Sequence, residues 1–236
     1  MGSRPGRFAD VTLCGQRLLL LPERVAYWRE ARTLLVADAH FGKAAAFRAS
    51  AIAVPGGTTA DGLERLSAAL RATSAERIIF LGDLIHAAGG RTEQVLGAVA
   101  GWRAAHRQLE WLLVRGNHDR AAGDPPAEWR VGCVDGPFVE APFRCLHEPD
   151  DGVDGLYSLA GHVHPGVILS GNGFHQRCAC FMFGPRVGLL PAFGDFTGFA
   201  AARPRPGERV FVIADDQVID KSPPERRALV RASTPE

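Results

Sequence analysis

The amino-acid sequence predicts an α/β fold in layers: two mixed sheets packed together and flanked by helices, a four-layer α-β-β-α sandwich. Three observations predict it. Four short apolar runs of strand length each end in a turn crowded with polar groups, and helix-length amphipathic stretches separate the first three. The rest of the chain reads as further short strands joined by tight turns. The size suits this: 236 residues, 46% of them hydrophobic and 22% charged, are expected to form a single domain over 1–222, with a loose, flexible tail over 223–236.

Taken in order, "ADVTLCGQRLLLLPERVAYW" (residues 9–28) predicts two or three strands with a turn at Gly15. The four apolar runs lie in "TLLVADAH" (Thr33–His40), "RIIFLGDLIH" (Arg77–His86), "WLLVRGNHD" (Trp111–Asp119) and "LYSLAGHVH" (Leu156–His164). They are apolar throughout, as strands buried on both faces must be. "RASAIAVPGG" (residues 48–57) reads as an irregular loop beside the first polar turn. Helices are predicted over "TTADGLERLSAALRATS", with Leu63, Leu66, Ala69 and Leu70 on one face, and over "TEQVLGAVAGWRAAHRQ". Beyond His164, one hairpin is expected about Gly-Asn-Gly at 171–173 and another about Asp215-Asp216. Ligand sites in such sheets lie outside the carboxyl ends of the strands, so the four polar turns should converge at one edge.

Several function classes are disfavoured. No apolar run approaches the roughly 18 residues of a membrane span, and "MGSRPGRFAD" lacks the apolar region of a secretory signal, so a cytoplasmic location is expected. Net charge is +1, which gives no global electrostatic footprint of a nucleic-acid binder and leaves only a local basic groove. Only Lys43 and Lys221 of the 27 basic residues are lysines; in so Ala-, Gly- and Pro-rich a chain, coding bias accounts for this. Cys14, Cys133, Cys145, Cys178 and Cys180 fit neither a disulfide framework nor a zinc ribbon, and are expected as small buried side chains.

The polar turns, with "CLHEP" at Cys145–Pro149, pool Asp38, His40, Asp83, His86, Asn117, His118, Asp119, His147, His162 and His164. Such a His/Asp/Asn set suits borderline divalent cations rather than calcium or an all-thiolate zinc site. On extended chain, residues i and i+2 point the same way, so "DAH" and "HVH" can each aim two ligands at one cation.

In the order "DAH", "GDLIH", "GNHD", "LHEP", "GHVH", the chain resembles the binuclear metallophosphoesterases. The resemblance implies one metal on Asp38, His40 and His164, another on Asn117, His147 and His162, and Asp83 bridging them. Two cations about 3.5–4 Å apart can share a hydroxide near neutral pH and clamp a phosphate for in-line attack. It also implies His118 as general acid or charge stabiliser, oriented by Asp119. His86 stands where many relatives have a carboxylate or small polar group; it either acts on the substrate or packs behind the ligands. Manganese is the expected metal, with iron or zinc as alternatives.

"ADAHFGK…FR…VPGGTTADGLERL", "LGDLIHA", "LHEP…GHVHP" and "LLPAFGDFTG" (Leu189–Gly198) further resemble the ligase-associated DNA damage response endonucleases, across most of residues 16–215. That likeness implies a manganese-dependent enzyme that cuts single-stranded or flapped DNA in repair, alongside a DNA ligase, a helicase and an exonuclease. "LPAFG" and "FTG" read equally as a tight strand connection. Lys43 and Arg48 are the leading phosphate-backbone candidates, followed by Arg115 and Arg120. Phe41 and Phe47 are expected in the core, with base stacking as the alternative. A small-molecule phosphatase or cyclic-nucleotide phosphodiesterase would use the same dimetal core. An interaction scaffold would tolerate loss of Asp38, Asp83, Asn117 or His118, all of which are present.

Overall fold

The computed structural model describes residues 7–171 and 174–223. The first seven strands form one sheet in unbroken chain order: β1 (Ala9–Leu13), β2 (Gln16–Leu21), β3 (Val25–Trp28), β4 (Thr33–Val36), β5 (Arg77–Leu81), β6 (Glu110–Val114) and β7 (Val131–Val134). Strands β1 to β4 pair antiparallel, and β4 to β7 pair parallel. The parallel strands are connected through α1 (Lys43–Ala49) and α2 (Thr58–Ala72), then α3 (Glu93–Ala105), then α4 (Asn117–Ala122). Parallel crossovers are right-handed, and here the strand order never reverses, so the helices stack on one face of the sheet.

On that face Leu63, Leu66 and Ala69 of α2 and Val95 and Val99 of α3 share a cluster with Leu34, Val36, Ile78, Phe80, Trp111 and Leu113. Each large apolar side chain fully buried there contributes about 1.5–3 kcal/mol. The alternate residues, Leu35, Ala37, Ile79, Leu81 and Val114, point the other way into a second cluster with Phe143, Tyr157, Leu159, Phe181, Phe183 and Phe211.

Those partners belong to a nine-stranded sheet of β8 (Phe138–Glu140), β9 (Phe143–Leu146), β10 (Tyr157–Ala160), β11 (Pro165–Gly171), β12 (Phe174–Phe183), β13 (Val187–Leu189), β14 (Ala200–Ala201), β15 (Arg209–Ala214) and β16 (Gln217–Asp220). Its spatial order is β14-β11-β12-β13-β10-β9-β8, with β15 on β12 and β16 on β15. Both expected hairpins form, β11 with β12 and β15 with β16; Asn172 and Gly173 of the first turn lie outside the described residues.

The α/β class and the two mixed sheets are as expected, but among the described residues the helical cover is one-sided. Among the described residues every helix falls between Lys43 and Trp129. Hairpins and loops join the strands of the second sheet, so no crossover helix is available to its outer face, which carries a small cluster of Cys178, Cys180, Val210 and Val212. Helix α1 was not expected; it extends through Ala49, leaving the irregular loop to begin at Ser50. At seven residues it is too short for its Ala-rich sequence to show a helical period. Cysteines 145, 178 and 180 are buried, whereas Cys14 is exposed and holds φ 49° before the turn glycine. Of the tail expected over 223–236, all but Pro223 lies outside the described residues.

Candidate active site

The ends of β4, β5, β6, β9 and β10 meet where the two sheets face each other, and there the polar turns converge. Extended chain does not aim the paired ligands. Asp38, His40, Asp83, His162 and His164 all hold φ between 47° and 64°, the left-handed region that non-glycine residues seldom adopt and that tends to persist at functional sites. Each motif is thus a kinked turn that folds two side chains back over the strand ends.

Backbone hydrogen bonds hold the kinks. The buried Asp119 carboxylate accepts from the N–H of Asp83 (2.7 Å), Leu84 (2.9 Å) and Gly116 (2.9 Å). Asp119 was expected to orient His118 and instead ties the "GD" and "GN" turns together. The residue that fixes His118 is His86, whose carbonyl accepts from His118 Nδ1 at 2.6 Å. "GNHD" is not a bare polar turn either, because Asn117 begins α4. Two glycines are sterically required. A Cβ on Gly116 would overlap the Asp83 carboxylate, and one on Gly82, at φ 79°, would overlap the His147 ring.

Two groups of donors result. In one, His147 Nδ1 donates to Leu81 O at 3.0 Å, which leaves a lone pair on Nε2. Around that nitrogen stand Asn117 Oδ1 at 2.9 Å, His162 Nδ1 at 3.1 Å and Asp83 Oδ1 at 3.5 Å. In the other, His164 Nδ1 donates to Gly198 O at 3.2 Å, and its Nε2 faces Asp38 Oδ1 at 3.5 Å. His40 Nε2 lies 3.8 Å from Asp83 Oδ2. Asp38 Oδ1 is buried without a hydrogen-bond partner, while Asp38 Oδ2 accepts from His162 N at 2.9 Å. Orphaned carboxylate oxygen and converging lone pairs are the electron-rich arrangement that a cation neutralises, and the mixed N/O donors suit a borderline divalent metal. The residues therefore fit two ions, with Asp83 adjoining both groups.

The electrostatics agree. Burial, then the charge of Lys43, pushes His40 down to about 2, so its imidazole is neutral and free to ligate. Burial raises the Asp83 carboxyl. For His164, burial acts downward, but its contact with Asp38 and the Gly198 carbonyl outweigh it and raise the group.

His86 sits with His40 and His118 beside this arrangement, their donor nitrogens grouped closely enough to offer ligands themselves. Its ring stacks on His118 at 4.7 Å between centroids, and its Nδ1 is 3.3 Å from His40 Nδ1. Burial, then Lys43 and His118, lowers it to about 4. Lys43 opens α1 near the two carboxylates, half-buried over the Phe47 ring, and Phe47 meets His86 edge-on. Phe41 is fully in the core.

The other basic candidates divide. Arg115 is committed to Asp124 through two bonds of 2.7 and 2.8 Å and to Asp135 at 3.0 Å, so it is a structural clamp and not a phosphate contact. Arg48 is exposed and bonds the Pro55 carbonyl. Arg120 is exposed beside a cavity that reaches His147. Sequence reasoning missed the carbonyls of Leu81, His86 and Gly198, since a backbone acceptor leaves no mark on a side-chain pattern.

No curated protein matches the chain. Among solved structures, the Pseudomonas putida nuclease MPE is similar at 40% identity and a TM-score of 0.79, covering 90% of this chain and 99% of that one. Yfce, a phosphoesterase from E. coli, is far more distant, at 12% identity and a TM-score of 0.35 over 78% of this chain and 88% of its own. Residues 31–182, which contain all the candidate ligands, match the calcineurin-like phosphoesterase family. The chain belongs to the calcineurin-like phosphoesterases and is a metal-dependent phosphoesterase.

Proposed function

We propose that this enzyme is a manganese-dependent phosphodiesterase that cuts single-stranded or flapped DNA internally, in the cytoplasm, as part of DNA repair. The observation that carries the reading is the 40% identity, over 90% of the chain, to a protein described as a nuclease. The mixed His/Asp/Asn donors support manganese, with iron or zinc the other metals of matching preference. Asn117 and His162 are exposed at the rim, so a polymer can pass over the site.

Asp38, His40 and His164 would hold one cation and Asn117, His147 and His162 the other, with Asp83 between them. Bound there, two divalent cations supply a nucleophile at neutral pH and charge to clamp the phosphate. The chain's own contribution is position and proton transfer. His118 Nε2 is 3.9 Å from Asp83 Oδ2, and its Nδ1 proton is held by the His86 carbonyl. Nε2 is thereby aimed across the reacting centre, where it can give a proton to the leaving oxygen. Lys43 and the exposed Arg48 and Arg120 would meet flanking phosphates. A DNA ligase, a helicase and an exonuclease are the proposed partners in repair.

The test is incision of a circular single strand by the manganese-loaded enzyme, beside duplex DNA, a phosphomonoester and cyclic nucleotides. The circle should be linearised, Asp83→Ala should abolish the reaction, and His118→Ala should lower it about 10²–10⁴-fold. Turnover of the small esters alone would replace the DNA reading with a small-molecule phosphatase or cyclic-nucleotide phosphodiesterase.

A further inference from the structure

A second cavity, of about 220 Å³, opens on the other flank of the metal centre, beside His164, and is walled by Arg24, Arg177, Asp195, Phe196 and Phe199. Four features mark it as built for a ligand. Phe196 is doubly unfavourable where it stands: the residue is 43% exposed, and its backbone holds φ 56°. A bulky side chain in the left-handed region is a rare outlier, and such strain concentrates at ligand sites. Second, the Arg177 guanidinium lies 5.5 Å from the Phe199 ring centre and has no carboxylate partner among the described residues. Third, Asp195 is fully engaged by Arg24 at 3.2 Å and Arg65 at 3.0 Å, and Arg65 also bonds the Phe193 carbonyl at 2.8 Å. One lining carboxylate, shared with Arg65 outside the wall, against the two lining arginines Arg24 and Arg177 leaves the pocket cationic. Fourth, the same loop supplies Gly198 O to His164, so the pocket is joined to a candidate ligand through one short stretch of chain.

We infer that this pocket receives one unpaired nucleobase of the DNA strand, next to the phosphodiester being cut; the inference rests on the DNA reading above. The ring of the exposed Phe196 and the Arg177 guanidinium laid over Phe199 suit a flat heterocycle, and cationic walls suit the phosphates on either side of it. Its volume falls below the roughly 300–1,000 Å³ of pockets for drug-sized ligands, which suits one ring system and excludes a base pair. With Asp195 spent on arginines, the Thr197 hydroxyl donated to the Gly194 carbonyl at 3.2 Å and Arg177 laid over Phe199, little remains to read a base edge, so recognition is by stacking and tolerates any sequence. A base inside a duplex is already stacked and cannot enter without being flipped out. The pocket therefore gives the enzyme its preference for single strands.

The experiment compares kcat/KM on a single-stranded oligonucleotide with that on bis(p-nitrophenyl) phosphate, using the manganese-loaded enzyme and Phe196→Ala, Phe199→Ala, Arg177→Ala and Phe196→Trp. The DNA-to-small-ester ratio should fall about tenfold or more in each alanine variant and recover in Phe196→Trp. A single abasic position in the oligonucleotide should suppress wild-type cuts beside it by a similar factor and leave Phe196→Ala indifferent. Equal loss on both substrates would mean that the loop merely positions His164, and wild-type kcat/KM on both would mean that no base enters; either overturns the inference while the DNA reading stands. A wild-type enzyme that hydrolyses the small diester and cuts no DNA would overturn both.

Discussion

The two rims that face each other across the metal centre are built by opposite means. On the first sheet, Asp38, Asp83 and Asp119 are buried, and the carboxylates of Asp83 and Asp119 are woven into backbone amides from the ends of two neighbouring strands, β5 and β6. On the second sheet His162 and His164 stand partly open to solvent, and each ring is aligned by few contacts, His164 by one loop carbonyl. The difference follows from topology. Parallel strands under a helical layer end in turns whose buried polar groups must be satisfied internally, although Asn117 opens to solvent there, whereas among the described residues the second sheet has no helical cover and, past the buried His147, ends in loops open to water. The first rim should therefore set whether the site exists, and the second which substrate reaches it.

The largest effect should come from Gly116→Ala, which forces the first-rim turns apart at Asp83. Displacement of about 1 Å at a reacting centre costs on the order of 10²-fold in rate, and cation binding should weaken in parallel. Steady-state kinetics with isothermal titration of manganese reads both; a near-normal variant would show the rim to be compliant.

Next, Asp119→Asn leaves a buried amide N–H unmatched in the knot between the two turns. A loss of about 2–3 kcal/mol, or roughly 5–10 °C in Tm for a chain of this size, is expected by calorimetry. Had Asp119 served only His118, kinetics would change and Tm would not.

On the opposite rim, His162→Ala should separate the two properties. Manganese affinity should drop about 10–100-fold while Tm of the metal-free protein stays within about 2 °C, as for other solvent-facing substitutions. Unfolding comparable to Asp119→Asn would erase the contrast.

The smallest effect is a pH dependence. In metal-free protein His86 sits at about 4 and His40 at about 2, both below the ordinary 6.5, because of burial and then the Lys43 charge. The unfolded chain therefore takes up protons first as pH falls. Stability should be intact above 6.5 and decline below it, down to about 4 for His86 and about 2 for His40. His164, raised, works in the opposite direction. Thermal melts in chelator should show that His86→Gln flattens the decline between 6.5 and 4; an unchanged slope would assign it to other groups.

The same asymmetry governs how much the sequence disclosed. Strands β4, β5, β6 and β10 were legible because burial on both faces imposes an apolar run, and the side chains that follow them carry chemistry in their names. Helices α2 and α3 showed a period, whereas α1 and α4, at seven and six residues, are too short to do so. The one-sided helical layer depends on strand order, which local patterns do not encode. Asp119 and Arg115 were misassigned for a common reason: a carboxylate or guanidinium in a motif looks catalytic until its partners, distant in sequence, are seen. "LPAFG" and "FTG" are ambiguous because the buried Phe193 of the first and the exposed Phe196 of the second differ only in exposure, which a sequence does not print.

The most direct test of the account is the number of cations that the two rims hold together. Manganese titration with elemental analysis of the isolated protein should give two equivalents per wild-type chain, one in Asn117→Ala, which empties only the group around His147, and a loss at both positions in Asp83→Ala. A single equivalent in the wild type, undiminished by Asn117→Ala, would contradict a shared two-cation centre.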